Sequence, residues 1–396
     1  MTTDTRVAGV GMVPFSKPSA GHRYEDMAGD AIRAALADSG VELADVEQAY
    51  ASYVYGDSTC GQAALYGVGM TGVPVVNVNN NCASGSSALW LARQAVASGA
   101  ADVVLAFGFE QMQRGALIEH WQLFLTPLDR FHERSGELQG DADHVPMPAR
   151  FFGGAGQAHT DRFGTSKEAF AMVAVKARRH AAANPNAVFR DPLTVEEVLA
   201  SPQIFGPLTR LQCCPPTSGG AAVVLVSDDY ARRKGLDATV RIAGQALTTD
   251  SPSTFTGDMR HVVGYDVAAD AARRAYDEAG IGPDDIPVVE LHDCFTTNEL
   301  VSYEALGLTP EGTAEKFIRD GDNTHGGRVV TNPSGGLLAK GHPLGATGLA
   351  QCAELTWQLR GTAGARQVPG ARTALQHNLG LGSACVVTVY EAVDRS

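Results

Sequence analysis

The chain has 396 residues, 44% of them hydrophobic and 19% charged, with a formal net charge of −13. That length exceeds one small core, so two or three packed units are expected; the acidic balance excludes a general nucleic-acid binder, which needs a basic field. No apolar run approaches the roughly 18–20 residues that span a bilayer, and no basic-then-apolar leader opens the sequence, so a cytoplasmic location is expected.

The first strand is read at Arg6–Gly11. A helical segment around Asp30–Ala35 ends at Gly40 and leads to a strand at Gln48–Val54. A second strand, Val73–Val78, passes through Asn79-Asn80-Asn81 into Cys82 and a small-residue helix at Ser84–Ser98. The segment from Gly115 to Pro207 is unlike its surroundings and is read as an inserted lid. It holds Trp121, Arg130, His132, Arg134, Met147, Arg150 and Phe151-Phe152-Gly153-Gly154. A strand returns at Ala221–Ser227, with a short helix and cap at Asp228–Gly235, and a new half opens at Thr239–Ala243.

That second half repeats the first. Asp30–Ala35 aligns with Asp270–Ala275, Gly40 with Gly280, Asp45 with Asp285 and Val46 with Ile286. The strand Ile286–Leu291 then matches Gln48–Val54. Further on, Cys82 falls on His342, Gly85 on Gly345 and Leu89 on Leu349, and the helix Ser84–Ser98 falls on Ala346–Leu359. Two blocks in the same order indicate duplication. Strands alternating with helices in both halves indicate a layered α/β fold. The units expected are 1–114 and 208–236 for the first half, 115–207 for the insertion, and 237–396 for the second half.

Four motifs carry chemistry. Cys82 sits where a strand turns into a helix, so unpaired amides and the helix dipole are expected to favour its thiolate. Glu290-Leu291-His292-Asp293-Cys294-Phe295 places a histidine, a carboxylate and a thiol at a strand end, all able to hold or move protons. Lys340-Gly341-His342-Pro343-Leu344-Gly345 surrounds His342 with glycine. His342 is also the duplicated counterpart of Cys82, so the two meet if the halves pack about a pseudo-twofold axis. A Cys–His pair is the form of an activated thiol nucleophile. Gln376-His377-Asn378-Leu379-Gly380-Leu381-Gly382 precedes the last strand, Cys385–Tyr390, and offers glycine amides to an oxyanion. Gly67–Gly72 fits GxGxxG but precedes a strand, so a dinucleotide site is rejected. The seven cysteines are irregularly spaced with no CxxC pair, so neither a disulfide framework nor a metal site is expected, Cys213-Cys214 included.

Together these motifs resemble the thiolase superfamily, and within it the sterol carrier protein type, from Val7 to Tyr390. The likeness is densest at Tyr55–Gln62, Val76–Gly85, Glu290–Leu306 and Asn332–Leu359. The resemblance implies a thiolase fold: a duplicated five-layer αβαβα core with an inserted loop domain, assembled as a homodimer or homotetramer. It implies that Cys82 is acylated, that His342 activates it, that Cys294 is the acid/base, and that His292 lines an oxyanion site. Asn298 and Asp293 are expected to orient His292. The amides of Cys82 and Gly382 would form a second oxyanion site. Coenzyme A would be co-substrate, with no tightly bound cofactor, contacted by the insertion and by Ser218, Gly219 and Gly220. The sequence departs from thiolases in general at Gly380, where most carry a cysteine; in the sterol carrier type the HDCF cysteine, here Cys294, compensates. The implied reaction is thiolytic cleavage of a 3-oxoacyl-CoA. A retro-aldolase or lipid-transfer role on steroid side-chain CoA esters, with an accessory protein, is the alternative. A condensing synthase is disfavoured by the HDCF motif.

Overall fold

The computed structural model describes residues 3–113, 126–140, 142, 145–382 and 384–394. Gly115, where the insertion is expected to begin, and Trp121 lie outside the described residues. The strands are β1 (Thr5–Met12), β2 (Gln48–Ser52), β3 (Val75–Val78), β4 (Val103–Glu110), β5 (Gln203–Phe205), β6 (Leu208–Thr209), β7 (Gly219–Ser227), β8 (Val240–Thr248), β9 (Val288–Glu290), β10 (Val330–Thr331), β11 (Thr373–Gly380) and β12 (Ala384–Ala392). Ten of them run in one order, β10-β9-β11-β12-β8-β1-β7-β4-β2-β3, while β5 and β6 pair separately.

Read outward from the β1–β8 junction, the order is a palindrome. β1-β7-β4-β2-β3 on one side answers β8-β12-β11-β9-β10 on the other. The pairing senses match too. β1–β7 and β8–β12 are antiparallel, β4–β7 and β11–β12 antiparallel, β2–β4 and β9–β11 parallel, β2–β3 and β9–β10 parallel. The duplication visible in the residues is therefore a duplication of topology.

Helices fill the layers. The helix Tyr24–Ser39 after β1 and the helix Tyr265–Ala279 after β8 both stop at a left-handed glycine, Gly40 (φ 68°) and Gly280 (φ 71°). A side chain is disfavoured there, so glycine ends both helices. The helices Ser84–Ala97 and Thr347–Arg360 share one core. Ala88, Leu89 and Ala92 pack with Leu349, Ala350 and Ala353, between Val223 and Leu225 of β7 and Val288 of β9 and Tyr390 of β12. Each outer helix buries its apolar stripe on the opposite face of its own half-sheet, Ile32 and Ala35 in one core and Ala271 and Ala275 in another. The order helix, sheet, paired central helices, sheet, helix gives five layers.

Between β4 and β7 the chain forms the helices Asp129–Gln139, Met147–Phe163 and Lys167–Ala181. Phe131, Phe151 and Phe152 from this stretch pack with Met259, Cys294 and Phe295 of the second half, closing a roof over the end of the central helix pair.

Candidate active site

The central helices begin where the halves touch. Gly85 and Gly348 lie at that contact: a Cβ on Gly85 would come 2.9 Å from the Gly345 carbonyl, and one on Gly348 would come 2.7 Å from Asn378 Oδ1. Only glycine lets the two N-termini approach this closely. The turns feeding these helices carry Cys82 and His342, so each functional side chain emerges at the same place from its own half. Asn81 adopts a left-handed conformation (φ 52°) to make the turn, and its side-chain amide holds the Leu381 carbonyl at 3.1 Å.

Cys82 Sγ and one ring nitrogen each of His292 and His342 all lie within 4.8 Å of one another. The two imidazoles meet edge to face, with centroids 5.1 Å apart at 85°. Both rings are buried and Cys82 is half-buried. These three residues line a cavity of about 130 Å³ together with Cys294, Cys214, Met112, Met147, Phe152, Leu379 and Leu381. The expected nucleophile, both histidines and the expected acid/base thiol thus face one space.

The hydrogen bonds give the histidines different roles. Asn378 is held by Ser86, whose hydroxyl donates to Asn378 Oδ1 at 2.8 Å. Ser86 Oγ in turn accepts from Gln376 Nε2 at 2.8 Å, and Gln376 Oε1 accepts from the Tyr390 hydroxyl. The Asn378 amide then turns its NH₂ toward His292 Nδ1, 3.0 Å away. A ring nitrogen that accepts carries no proton, so the His292 proton sits on Nε2. His342 Nδ1 lies 2.8 Å from Thr347 Oγ1, and that hydroxyl lies 2.9 Å from the Pro343 carbonyl. With the hydroxyl proton on Pro343, His342 donates from Nδ1. Its Nε2 is then a bare lone pair; it is buried and has no protein partner among the described residues.

Burial pushes the His342 pKa down to about 3, with a smaller push from Lys340, and holds His292 well below its ordinary value, aided by His342 and His377. Both rings rest neutral. Burial likewise lifts the Cys82 thiol up to about 12, with the Glu110 charge adding to it, and Cys294 well above its ordinary value. The thiolate expected from the helix terminus is therefore not the resting state. The apolar roof outweighs the local dipole, and Cys82 waits as a thiol beside an unprotonated base. Glu110 is itself raised to about 7 by burial, against hydrogen bonds from the amides of Tyr55, Gly345 and Val54 that lower it. It ties the His342 loop to the first half.

Three expectations change. Asp293 accepts from the Leu337 and Leu338 amides, and Asn298 donates to the His292 carbonyl, so neither side chain orients the imidazole; Asn378 does. Ser218, Gly219 and Gly220 are buried away from the cavity. Ser218 Oγ accepts from the Met112 amide at 3.1 Å, Gly219 packs on the Phe15 ring, and a Cβ on Gly220 would come 2.6 Å from the Met27 carbonyl. The part of this loop that does line the cavity is Cys214, Pro215 and Pro216. Gly382 turns the chain between β11 and β12 with φ 81° and is not among the lining residues, though Leu381 is. Cys214 was missed as a cavity residue; its amide donates to the Cys294 carbonyl at 2.9 Å, which places the two cysteines side by side. A prolyl pair directly after a cysteine pair was the available signal.

A family model described as thiolase, N-terminal domain, matches residues 6–229, and one described as thiolase C-terminal domain-like matches residues 249–392. The chain belongs to the thiolase family. Sterol carrier protein 2 of Homo sapiens is 50% identical over 390 residues, which cover 97% of this chain and 71% of that one. Benzoylsuccinyl-CoA thiolase subunit BbsB of Thauera aromatica is 35% identical over 379 residues, 95% and 94% of the two chains. Among solved structures, the Ltp2-ChsH2(DUF35) aldolase superposes with a TM-score of 0.80 at 27% identity, covering 98% of each chain. The thiolase fold expected from the motifs is thus the fold observed, and the chain is a thiolase-family acyltransferase.

Proposed function

We propose that this thiolase cleaves a 3-oxoacyl-CoA with free coenzyme A through an acyl-Cys82 intermediate. The observation that carries the reading is the convergence of Cys82, His292 and His342 within 4.8 Å on a cavity that Cys294 also lines. His342 Nε2 takes the Cys82 proton as sulfur attacks the 3-keto carbon. The ring, now protonated, joins His292 Nε2–H as a second donor to the substrate thioester oxygen. The Cys82 amide holds the tetrahedral oxyanion; loss of such a donor commonly costs about a hundredfold or more. The C2–C3 bond breaks, and Cys294 protonates the leaving acetyl-CoA or propionyl-CoA enolate. Cys294 then takes the proton of incoming coenzyme A, whose sulfur displaces the acyl group from Cys82, and His342 returns its proton to that thiol.

A chamber of about 130 Å³ has room for the reacting carbons and little more. A groove of about 670 Å³ shares Met112, Pro215 and Pro216 with it and continues past Lys17, Pro18 and Phe189. It offers a path for a long, branched or sterol-derived acyl tail. A homodimer is supported by β3, an edge strand carrying Val76 at 50% exposure beside Met70 at 77% and Tyr66 at 50%. An open apolar edge of this kind is a template for a second copy.

The second reading is a retro-aldolase acting with an accessory protein, favoured by the likeness to the Ltp2-ChsH2(DUF35) aldolase. Incubation with 3-oxoacyl-CoAs of several chain lengths separates the two. Thiolysis gives an acyl adduct on Cys82 by intact mass and coenzyme-A-dependent cleavage. No adduct and no cleavage at any length would sink the thiolase reading.

A further inference from the structure

Cys82, His292 and His342 have the composition and spacing of a zinc site, two nitrogens and a sulfur within 4.8 Å. The hydrogen bonds behind them oppose that use. A metal needs the lone pair of His292 Nε2, yet Asn378 donates to Nδ1 and so keeps the proton on Nε2. Reversing the Asn378 amide would present two donors to Ser86 Oγ, since Gln376 already donates there, and would take away the acceptor of the Ser86 hydroxyl. Gln376 cannot turn in compensation, because its NH₂ also serves the Gly348 carbonyl at 2.6 Å and its oxygen serves Tyr390. Ser86, Gln376, Asn378 and Tyr390 are all fully buried or nearly so, where an unmade hydrogen bond is costly.

We infer that Asn378 is a positioning residue: through Ser86, Gln376 and Tyr390 it fixes His292 as an Nε2–H donor, and so divides one histidine for hydrogen-bond donation from another for base chemistry. The functional consequence rests on the thiolase reading above; the tautomer and the metal discrimination do not. A carboxylate at position 378 would accept from Nδ1–H, move the proton off Nε2, and complete the carboxylate–histidine–metal arrangement that typically changes metal affinity by about 10–100-fold.

The wild-type protein labelled with ¹⁵N-histidine gives the first test. A His292 resonance pattern of the Nε2–H tautomer, assigned by its loss in His292→Asn, is expected; an Nδ1–H pattern overturns the inference. The second is zinc titration by calorimetry. Asn378→Asp should bind zinc at least about 30-fold more tightly than wild type, and adding Cys82→Ser should abolish the gain; equal affinity in Asn378→Asp and wild type overturns the inference. The third is kinetic. Ser86→Ala, which removes the brace without touching the ring, should lower kcat about tenfold with KM little changed, and an unchanged kcat counts against the relay. The first two readouts need no turnover, so a chain that fails to cleave 3-oxoacyl-CoA loses the reaction proposed for it while Asn378 is judged by tautomer and zinc.

Discussion

A thiol lifted to about 12 has a thiolate fraction near 1 in 10⁴ at pH 8, whereas an ordinary cysteine near 9 has about a tenth. Cys82 should therefore react with iodoacetamide roughly 30–60-fold more slowly than an unperturbed thiol at pH 8, the smaller thiolate fraction being partly offset by the greater nucleophilicity of a more basic thiolate. Its rate should climb about tenfold per pH unit up to pH 11. Acylation by a 3-oxoacyl-CoA should behave otherwise. There the proton leaves for His342 Nε2 during attack, and a ring at about 3 is unprotonated throughout, so acylation should be flat from pH 8 to 10, above the range in which Glu110, at about 7, titrates. Both rates can be followed by quenched-flow intact mass, with Cys82 located by peptide mapping. In His342→Asn the alkylation slope should persist, and acylation should fall by about 10²–10⁴ and acquire the same slope. Alkylation that levels off below pH 9 would refute the reasoning, because it would mean a resting thiolate of the kind the helix terminus alone suggests.

Cys294→Ala should allow a Cys82 acyl adduct to form from 3-oxoacyl-CoA yet block steady-state turnover, as seen by mass against a coenzyme A release assay. Gly348→Ala drives a methyl into Ser86 and toward Asn378 Oδ1; overpacking of about 1–3 kcal/mol should show as a lower midpoint in thermal unfolding together with reduced kcat. Lys176→Met strands the buried Glu299 carboxylate beside Tyr303 and Thr331. That should cost about 3–5 kcal/mol, a midpoint drop of roughly 4–6 °C for a chain of this size, measured by calorimetry. Glu110→Gln removes an acceptor from amides at Val54, Tyr55 and Gly345; activity should fall more than stability, since one of those amides belongs to the His342 loop.

Cys82 and His342 were legible because they occupy matching places in a duplicated chain, and the palindromic sheet turns that match into proximity. Gly40 and Gly280 were legible as helix stops because the reason is local. The resting charge of Cys82 was not, because it depends on a roof built from Phe152 and its neighbours far along the chain. Nor was the role of Asn378, whose brace Ser86 lies 292 positions away. The glycines of Ser218-Gly219-Gly220 have a packing reason the sequence does not show: glycine marks close approach, and here Phe15 and Met27 of the protein itself approach.

The edge strand β3 has one more consequence. It runs through Asn79–Asn81 straight into Cys82, so whatever braces that edge also braces the turn that aims the sulfur. In the homodimer proposed above, a copy separated from its partner would keep every catalytic side chain and lose the stiffness of their mounting. Specific activity should therefore decline on dilution while the circular dichroism stays native, making catalytic rate per molecule a readout of how crowded the protein is with its own kind.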